Sequence, residues 1–295
     1  MPPFSRRTTV MGRYRRILAA VDGSESGRNA FRQACRMAVA QGSWLTAITT
    51  VPPYEDLFQI PAVREKVSRA LRQEGEKVLT AVREIARDEG VSVKTLIEED
   101  APFHAIVDAA EEGSYDLIVM GRHGAKPIER ALVGSVTARV IGSTRRDILV
   151  FPLGTAIGWG SILVATDGSR YGRAATEKAI RIAKAEGGLL SAISVVDVTE
   201  EFQSQAPEAV EKLVEKAKGY VGEVTRRAEA EGVKIMPFVR EGESYRAITD
   251  LSRTCRSEVI VMGSHGRTGV RRLLMGSVTE KVIGYAPCPV LVVRG

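Results

Sequence analysis

The amino-acid sequence predicts an α/β protein that contains two tandem copies of one parallel-sheet domain. Short apolar runs rich in Ala, Val, Ile and Leu alternate with longer stretches of helical periodicity, which is typical of parallel strands that helices cover on both faces. The chain has 295 residues, and this length is about twice that of a common domain. The pattern of the first half also recurs in the second half.

The two halves align over most of their length. VDGSESGRNA at 21–30 corresponds to TDGSRYGRAA at 166–175, and IVMGRHG at 118–124 corresponds to IVMGSHG at 260–266. The offset is 145 positions for the first pair (21 to 166) and 142 for the second (118 to 260), so the copies differ by three residues in the middle. A repeat of this kind predicts two structurally equivalent domains.

Three regions are predicted from this repeat. A basic tail at 1–14 is expected to be disordered, and the domains are expected at 15–153 and 160–295. The segment FPLGTAIGWG at 151–160 contains a proline, three glycines and no charge. Because this linker is short, we expect the two domains to pack closely together.

The second domain illustrates the elements in chain order. Short apolar or β-branched runs predict strands, and charged residues that alternate with Ala and Val at a helical period predict helices. The order is a strand at SILVAT (161–166), a helix over 170–186, a strand at LLSAISVV (189–196), a helix over 207–231, a strand at VKIMPFV (233–239), a helix over 243–254, a strand at EVIVMG (258–263), a short helix at GSVTEKVIGY (276–285) and a strand at CPVLVV (288–293). The crossovers between strands are expected to be right-handed.

The net charge of +6 does not by itself indicate a nucleic-acid-binding surface. Five arginines lie within the first 16 residues, and the remainder of the first half, 17–153, carries 17 basic and 19 acidic residues. We therefore predict no nucleic acid partner, since a basic stripe is the expected footprint. No apolar run approaches the length of a membrane span. Three cysteines without zinc or disulfide spacing favour reduced thiols in a cytoplasmic protein.

Two loops in each half follow apolar strands and suggest a ligand site. One is Asp-Gly-Ser after the first strand, and the other has the spacing G-x-x-G-x9-G-S after the fourth. In an open parallel sheet, ligands bind at the carboxyl ends of the strands, where the strand order reverses. Glycines let backbone N–H groups approach an anion, and a helix that starts at Gly-Ser presents free N–H donors. The pattern therefore predicts a polyphosphate site.

The same residues also have an ordinary structural interpretation. Glycine after a strand is common turn chemistry, and serine at a helix start is a common N-cap. The spacing nevertheless recurs intact in two copies that differ elsewhere, which favours binding because a plain turn tolerates insertions. The spacing matches neither the P-loop nor G-x-G-x-x-G at a first helix, so the sequence supports neither a P-loop NTPase nor a typical dehydrogenase.

Each half resembles a universal stress protein (UspA-type) domain. The resemblance depends on V/T-D-G-S after the first strand, IVMG-x-HG, the nine-residue gap, G-S-V-T, and APCPVLVV at the C-terminus, and it covers nearly the whole chain apart from the tail. It implies two Rossmann-like domains of the adenine nucleotide alpha hydrolase-like type. Each would have a five-stranded parallel sheet of order 3-2-1-4-5 with helices on both faces. The first and fourth strands would then be neighbours, and both loops would meet.

The glycine spacing marks the ATP-binding branch of that family, so the resemblance implies ATP (or ADP or AMP) with Mg²⁺ on its phosphates. The glycines and serines of the motif, with the valine after each serine, would hold phosphates and ribose. The alanine and aspartate at the end of the first strand would line the adenosine side, Thr50 and Val195 would meet adenine through backbone groups, and the methionine before the first glycine would flank the base or ribose. Asp22 and Asp167 would help to place the metal, or would instead brace the turn. The candidate nucleotide-binding residues of the second domain are Ala165, Asp167, Val195, Met262, Gly263, His265, Gly266, Arg267, Gly276, Ser277 and Val278. Those of the first are Ala20, Asp22, Thr50, Met120, Gly121, His123, Gly124, Gly134, Ser135 and Val136.

The two domains are not expected to bind equally. Opposite Arg267-Thr268-Gly269 the first domain has Ala125-Lys126-Pro127, and opposite Arg271 it has Glu129. Proline removes a backbone donor, and a glutamate is a poor neighbour for phosphate. The sequence therefore predicts that the second domain binds ATP more tightly.

The function that these observations favour is a nucleotide-binding module in stress response or signalling, with no catalytic residue assigned. A slow ATPase and a nucleotide-independent interaction scaffold are the alternatives. The sequence offers no positioned general base, Walker-type lysine or acidic metal cluster, which disfavours an enzyme. The family often dimerises through its fifth strand, so the resemblance implies an intrachain pseudo-dimer and a homodimer through these strands. The protein partner is unidentified.

Overall fold

The computed structural model describes residues 14–52, 61–124, 133–266 and 275–295. Predictions for the basic tail therefore lie outside the described residues, with the exception of Tyr14. The same holds for Arg267 and for the contrast between 125–129 and 267–271.

Both halves contain the predicted alternation of strands and helices. In the first half the elements are β1 (Arg16–Ala20), α1 (Glu25–Gln41), β2 (Trp44–Val51), α2 (Pro61–Asp88), β3 (Val93–Glu99), α3 (Pro102–Glu112), β4 (Leu117–Gly121), α4 (Ser135–Ser143) and β5 (Asp147–Phe151). In the second half they are β6 (Ser161–Ala165), α5 (Arg170–Glu186), β7 (Leu189–Val196), α6 (Glu200–Gln205), α7 (Pro207–Ala230), β8 (Ile235–Glu241), α8 (Ser244–Thr254), β9 (Val259–Gly263), α9 (Ser277–Tyr285) and β10 (Val290–Val293).

Two strands of the second half begin two residues later than predicted. The third was predicted at 233–239 but begins at Ile235, and the fifth was predicted at 288–293 but begins at Val290. For the fifth strand the physical reason is Pro289, which has no N–H to donate to a ladder. Its carbonyl still accepts from the amide of Ile260 at 3.0 Å, so the chain is already in register with β9.

Matched caps begin and end the first helix of each half. Ser24 and Ser169 each accept a hydrogen bond from the amide three residues later, at 3.0 Å, which satisfies an N-terminal donor of α1 or α5. Gly42 and Gly187 end these helices in the left-handed conformation, with φ of 68° and 69°. Glycine adopts this conformation without steric cost. The caps therefore fix where each helix meets the sheet.

The ten strands of the described residues form one sheet, of order β3-β2-β1-β4-β5-β10-β9-β6-β7-β8. Within each half the strands have the predicted order 3-2-1-4-5 and are parallel. Each half contributes its five predicted strands, but the sheet is larger than five strands, because β5 and β10 pair antiparallel, with Leu149 opposite Leu291. The fifth strands thus join the halves, as the predicted intrachain pseudo-dimer requires. Each has a neighbour on both sides, so neither offers a free backbone edge to a second chain.

Helices cover both faces of this sheet, and each face has its own core. Side chains of α1, α2, α5 and α7 pack on one face, and side chains of α3, α4, α8 and α9 pack on the other. Because side chains alternate along a strand, β4 contributes Val119 to the first core and Met120 to the second. Each core is continuous across the two halves.

A buried charged cluster reinforces the junction between the halves. Asp147, at the start of β5, accepts hydrogen bonds from the Tyr14 hydroxyl at 3.0 Å and from the backbone amide of Arg294 at 3.2 Å. The Lys178 ammonium on α5 lies 2.8 Å from the same carboxylate. Burial, reinforced by the neighbouring Asp147, raises the pKa of Tyr14 well above its usual value. The Tyr14 hydroxyl therefore keeps its proton and donates it in a hydrogen bond to Asp147.

Within the described ranges, no helix is both long and apolar enough to cross a membrane. The three cysteines are unpaired thiols, of which Cys35 and Cys288 are buried. Burial raises the pKa of each of these two thiols to about 12. They are therefore protonated at neutral pH and act as small apolar groups in the core.

Candidate functional site

A cavity of ≈ 390 Å³ opens at the carboxyl ends of β6, β7 and β9 in the second half. This is the position where strand order reverses, which is where ligands bind in open parallel sheets. Ten of the residues predicted from the sequence line it: Ala165, Asp167, Val195, Met262, Gly263, His265, Gly266, Gly276, Ser277 and Val278. The eleventh, Arg267, lies outside the described residues.

The loops after the first and fourth strands of each half meet, as predicted. A Cβ placed on Gly266 would lie 3.0 Å from Oδ2 of Asp167, and one placed on Gly124 would lie 2.8 Å from Oδ2 of Asp22. The second glycine of the motif therefore leaves room for the aspartate of the neighbouring loop. A larger residue at either position would displace that carboxylate.

The start of α9 forms one wall of the cavity and presents backbone donors to it. Gly276 precedes the helix and provides no side-chain cap, and its own amide donates to the carbonyl of Ser264 at 2.9 Å. Thr279 donates its hydroxyl to the carbonyl of Gly263 at 2.9 Å, which ties the helix start to the end of β9. Ser277 is exposed at the first helical position. The free amides of this turn can bind an anion.

The first glycine of the motif has a packing role in both halves. A Cβ on Gly263 would lie 2.6 Å from Cβ of Tyr171 and 2.7 Å from its carbonyl carbon. A Cβ on Gly121 would lie 2.8 Å from the carbonyl carbon of Ser26. Neither helix backbone can move easily, so glycine here permits close contact between a strand end and the next helix. Gly263 also borders the cavity, but the packing role alone explains the residue type.

Asp22 and Asp167 brace the turns in which they lie. Each accepts a hydrogen bond at 3.0 Å through Oδ1 from the amide two residues later, that of Ser24 or Ser169. This is the Asx-turn arrangement that favours aspartate at such positions. The bracing interpretation therefore holds for one oxygen of each carboxylate. In the parts of the chain that the structure describes, no group of three or more His, Cys, Asp or Glu residues could hold a metal ion.

The far end of the cavity is apolar with one hydrogen-bonded pair at its rim. Ile193 and Ile248 are buried in its wall. Asp197, which follows β7, accepts a hydrogen bond from the Ser244 hydroxyl at 2.8 Å, and both residues line the cavity. The glycine motif does not predict this pair. The signal that could have found it is the alignment, since Pro52 and Pro102 occupy the corresponding positions in the first half.

His265 lies between the cavity and the first turn of α5. Its Nδ1 is 3.1 Å from the Ser264 hydroxyl, and its ring centroid is 5.3 Å from that of Tyr171. The first half has Arg122 and Ser26 in place of Ser264 and Tyr171. The histidine is shared by both halves, but its surroundings are not.

The first half places its predicted residues on the same elements. Ala20 ends β1, Thr50 lies near the end of β2, and Ser135 begins α4. Thr137 repeats the tie seen in the second half, donating to the carbonyl of Gly121 at 3.1 Å. The remaining predicted residues lie in the equivalent loops, strand ends and helix start: Asp22, Met120, His123, Gly124, Gly134 and Val136. The frame of the site is thus common to both halves.

Arg122 connects the first motif to the second half. Its guanidinium donates to the carbonyl of Gly284 at 2.8 Å and to that of Ile283 at 3.4 Å, at the carboxyl end of α9. Partial burial lowers the pKa of this guanidinium, which remains charged. A cation at this end is favourable for the helix dipole. The opposite end of the same helix lines the cavity.

Comparison with known proteins gives the family. The sequence profile of the universal stress protein family matches residues 13–152 and again residues 158–294. A universal stress protein of Methanocaldococcus jannaschii is 39% identical over 137 residues, which cover 45% of this chain and 81% of that protein. A universal stress protein of Mycolicibacterium smegmatis is 26% identical over 297 residues, covering 94% of this chain and 96% of that protein.

The fold has a full-length counterpart among solved structures. A universal stress protein from Archaeoglobus fulgidus superposes with a TM-score of 0.73 at 21% identity, covering 97% of this chain and 98% of that one. At this identity the likeness supports the arrangement of the two halves and not a ligand. The two matches of the family profile cover most of the sequence, and the chain belongs to the universal stress protein family, with two of its domains in tandem.

Proposed function

We propose that the cavity of the second half binds ATP or another adenine nucleotide, and that the protein is a nucleotide-binding module of stress response. The observation that carries this proposal is the convergence of ten predicted residues on one cavity. Its volume of ≈ 390 Å³ lies within the range of small-molecule sites. One end of the cavity offers backbone donors for phosphates, and the other end is apolar and suits a base.

Backbone donors at the start of α9 would hold the phosphates. Ser277 and Val278 begin that helix, and their amides have no partner inside the helix. The apolar wall formed by Ile193, Ile248 and Met262 would pack against the base. The carboxylate of Asp167 lies beside the glycine loop and would share a Mg²⁺ ion with the phosphates. The metal would supply charge neutralisation there.

Binding by the first half is proposed to be weaker. Asp22 is exposed whereas Asp167 is partly buried, and the first half lacks the Asp197–Ser244 pair. A homodimer of two chains would have to use a surface other than the backbone edges of β5 and β10, since both are paired internally.

The test is calorimetric titration of the full chain with Mg-ATP, using a matched pair of variants. Ser277→Glu places a carboxylate where the phosphates would lie, and Ser135→Glu does the same in the first half. Both serines are exposed at the first position of a helix, where an acidic residue favours the fold. We expect Ser277→Glu to abolish the tighter binding and Ser135→Glu to preserve it. Absence of binding by the wild-type chain, or the reverse pattern, would contradict the proposal.

A further inference from the structure

We propose that Asp197, positioned by Ser244, recognises the amino group of the nucleotide base in the second half. This inference rests on the proposed function, because it assigns a specificity-determining pair to that same cavity. It starts from a carboxylate and a hydroxyl that line the cavity, join at 2.8 Å and belong to no part of the glycine motif.

The topology places this pair at the end of the cavity away from the phosphates. The backbone donors lie at α9, beside the end of β9, whereas Asp197 follows β7. β6 lies between β9 and β7 in the sheet. Neighbouring strands are about 4.8 Å apart, so the two ends are separated by about 10 Å. A nucleoside phosphate spans such a distance with its ribose over β6 and its base at β7 and β8.

The chemistry of the pair selects a hydrogen-bond donor. An ionised carboxylate can only accept. The Ser244 hydroxyl already engages Oδ2 and thereby fixes the rotamer of Asp197, which leaves Oδ1 to accept from the ligand. The neighbouring wall of Ile193 and Ile248 suits the face of an aromatic ring. A flat base with an exocyclic amino group at its edge satisfies both features.

The first half lacks this recognition. Pro52 follows β2 where Asp197 follows β7, and Pro102 begins α3 where Ser244 begins α8. Proline offers neither a side-chain acceptor nor a donor. The two halves therefore differ in base selection even where their glycine frames are alike.

The experiment uses the full chain carrying Ser135→Glu, so that only the second half reports. ATP is compared with purine riboside triphosphate, which has a hydrogen atom where adenine has its amino group. We expect the parent to prefer ATP by about tenfold, since a hydrogen bond to a charged group has this magnitude. Asp197→Ala should bind the two nucleotides equally, with its affinity for purine riboside triphosphate unchanged. Ser244→Ala should reduce the preference, and Pro52→Ala should leave it intact.

The possible failures are distinguishable. If the parent binds both nucleotides equally, this inference is overturned and the proposed function stands. An equal loss of affinity for both nucleotides in Asp197→Ala would assign the residue a role in shaping the cavity and would also overturn it. If the parent discriminates against 2′-deoxy-ATP and Asp197→Ala does not, the carboxylate accepts a hydrogen bond from the ribose instead of the base, which would also overturn the inference. If the parent binds neither triphosphate, the proposed function fails, and the inference fails with it.

Discussion

The two halves of the chain share a backbone frame but differ at the rim of the site. In both, the first glycine of the motif packs against a helix start, and a threonine ties the fourth strand to the following helix. The differences occur where a ligand would be contacted, with Pro52 opposite Asp197 and Pro102 opposite Ser244. The region around the recurring motif therefore contains a structural part that both halves need for the fold and a part that differs between them.

A second difference is a contact that the first half makes with the second but that the second half does not make in return. Arg122 of the first half reaches the carboxyl end of α9 in the second half, whereas the aligned Ser264 is a short buried side chain. The first half therefore supports the helix that lines the second cavity, and Ser264 makes no equivalent contact with α4 among the hydrogen bonds of the described residues.

The largest effect is expected from filling the packing glycines. Gly121→Val and Gly263→Val would each place side-chain atoms against a helix backbone. An added Cβ alone would lie within 3 Å of that backbone. We expect each to lower the free energy of unfolding by about 3 kcal/mol, measured by urea denaturation. Gly219→Ala, on α7 with open space around it, is the control and should stabilise by about 0.5–1 kcal/mol. A normal stability of Gly263→Val with loss of ATP binding would instead assign this glycine to the ligand.

Breaking the charged cluster at the junction should have the next largest effect. Asp147→Ala leaves the Lys178 ammonium without its partner and removes the acceptor of the Tyr14 hydroxyl. We expect a loss of about 2 kcal/mol, below the cost for a fully buried pair because Lys178 keeps some access to water. A double-mutant cycle with Lys178→Met isolates the pair. Additive losses in this cycle would show that the two charges do not stabilise one another.

Removing Arg122 tests its contact with the carboxyl end of α9. Arg122→Ala should cost about 1–2 kcal/mol, because the carbonyls at the end of α9 lose a charged donor. If the second half binds ATP, the affinity should also fall, since the same helix begins at the cavity. Arg122→Lys keeps the charge without the planar fork, and its stability should lie between those of the wild type and Arg122→Ala. Unchanged stability and unchanged affinity in Arg122→Ala would show that this contact neither stabilises the fold nor supports the cavity.

The smallest effect concerns a carboxylate that only the first half has. Partial burial acts to raise the pKa of Glu111, but the amide of Arg145 and the guanidinium of Arg146 outweigh it and lower that pKa. Because the pKa is lower in the folded state, the ionised carboxylate stabilises the fold at pH values above its unfolded-state pKa of about 4.3. This stabilisation is lost as the pH falls through the folded-state pKa. Glu111→Gln should therefore be less stable than wild type above pH 5, and the difference should disappear in stronger acid. A difference that stays constant across this range would contradict the assignment.

The sequence predicted those features that depend on local pattern and on the repeat. Strands and helices alternate as expected, and the loops at Asp167 and Gly266 meet because parallel strands end on one side of the sheet. The bounds of β10 were missed because Pro289 removes a ladder donor. The packing role of Gly263 was missed because a turn glycine and a close-contact glycine look alike in a sequence.

Contacts between distant segments were the least predictable part. Arg122 and Gly284 are separated by 162 positions, and nothing local to either residue indicates that they meet. The Asp197–Ser244 pair joins two residues 47 positions apart. Such contacts depend on which strands are neighbours, and the motif gives no information about side chains at its margins.

The antiparallel pairing of β5 with β10 also has a consequence for mass action. Two separate domains that met through these strands would associate according to their concentration, whereas domains on one chain meet at an effective concentration set by a short linker. Their one-to-one ratio is fixed, and neither can be exchanged for a second copy of the other. Each molecule therefore always contains one copy of each half, and changes in one half create no pool of mixed assemblies.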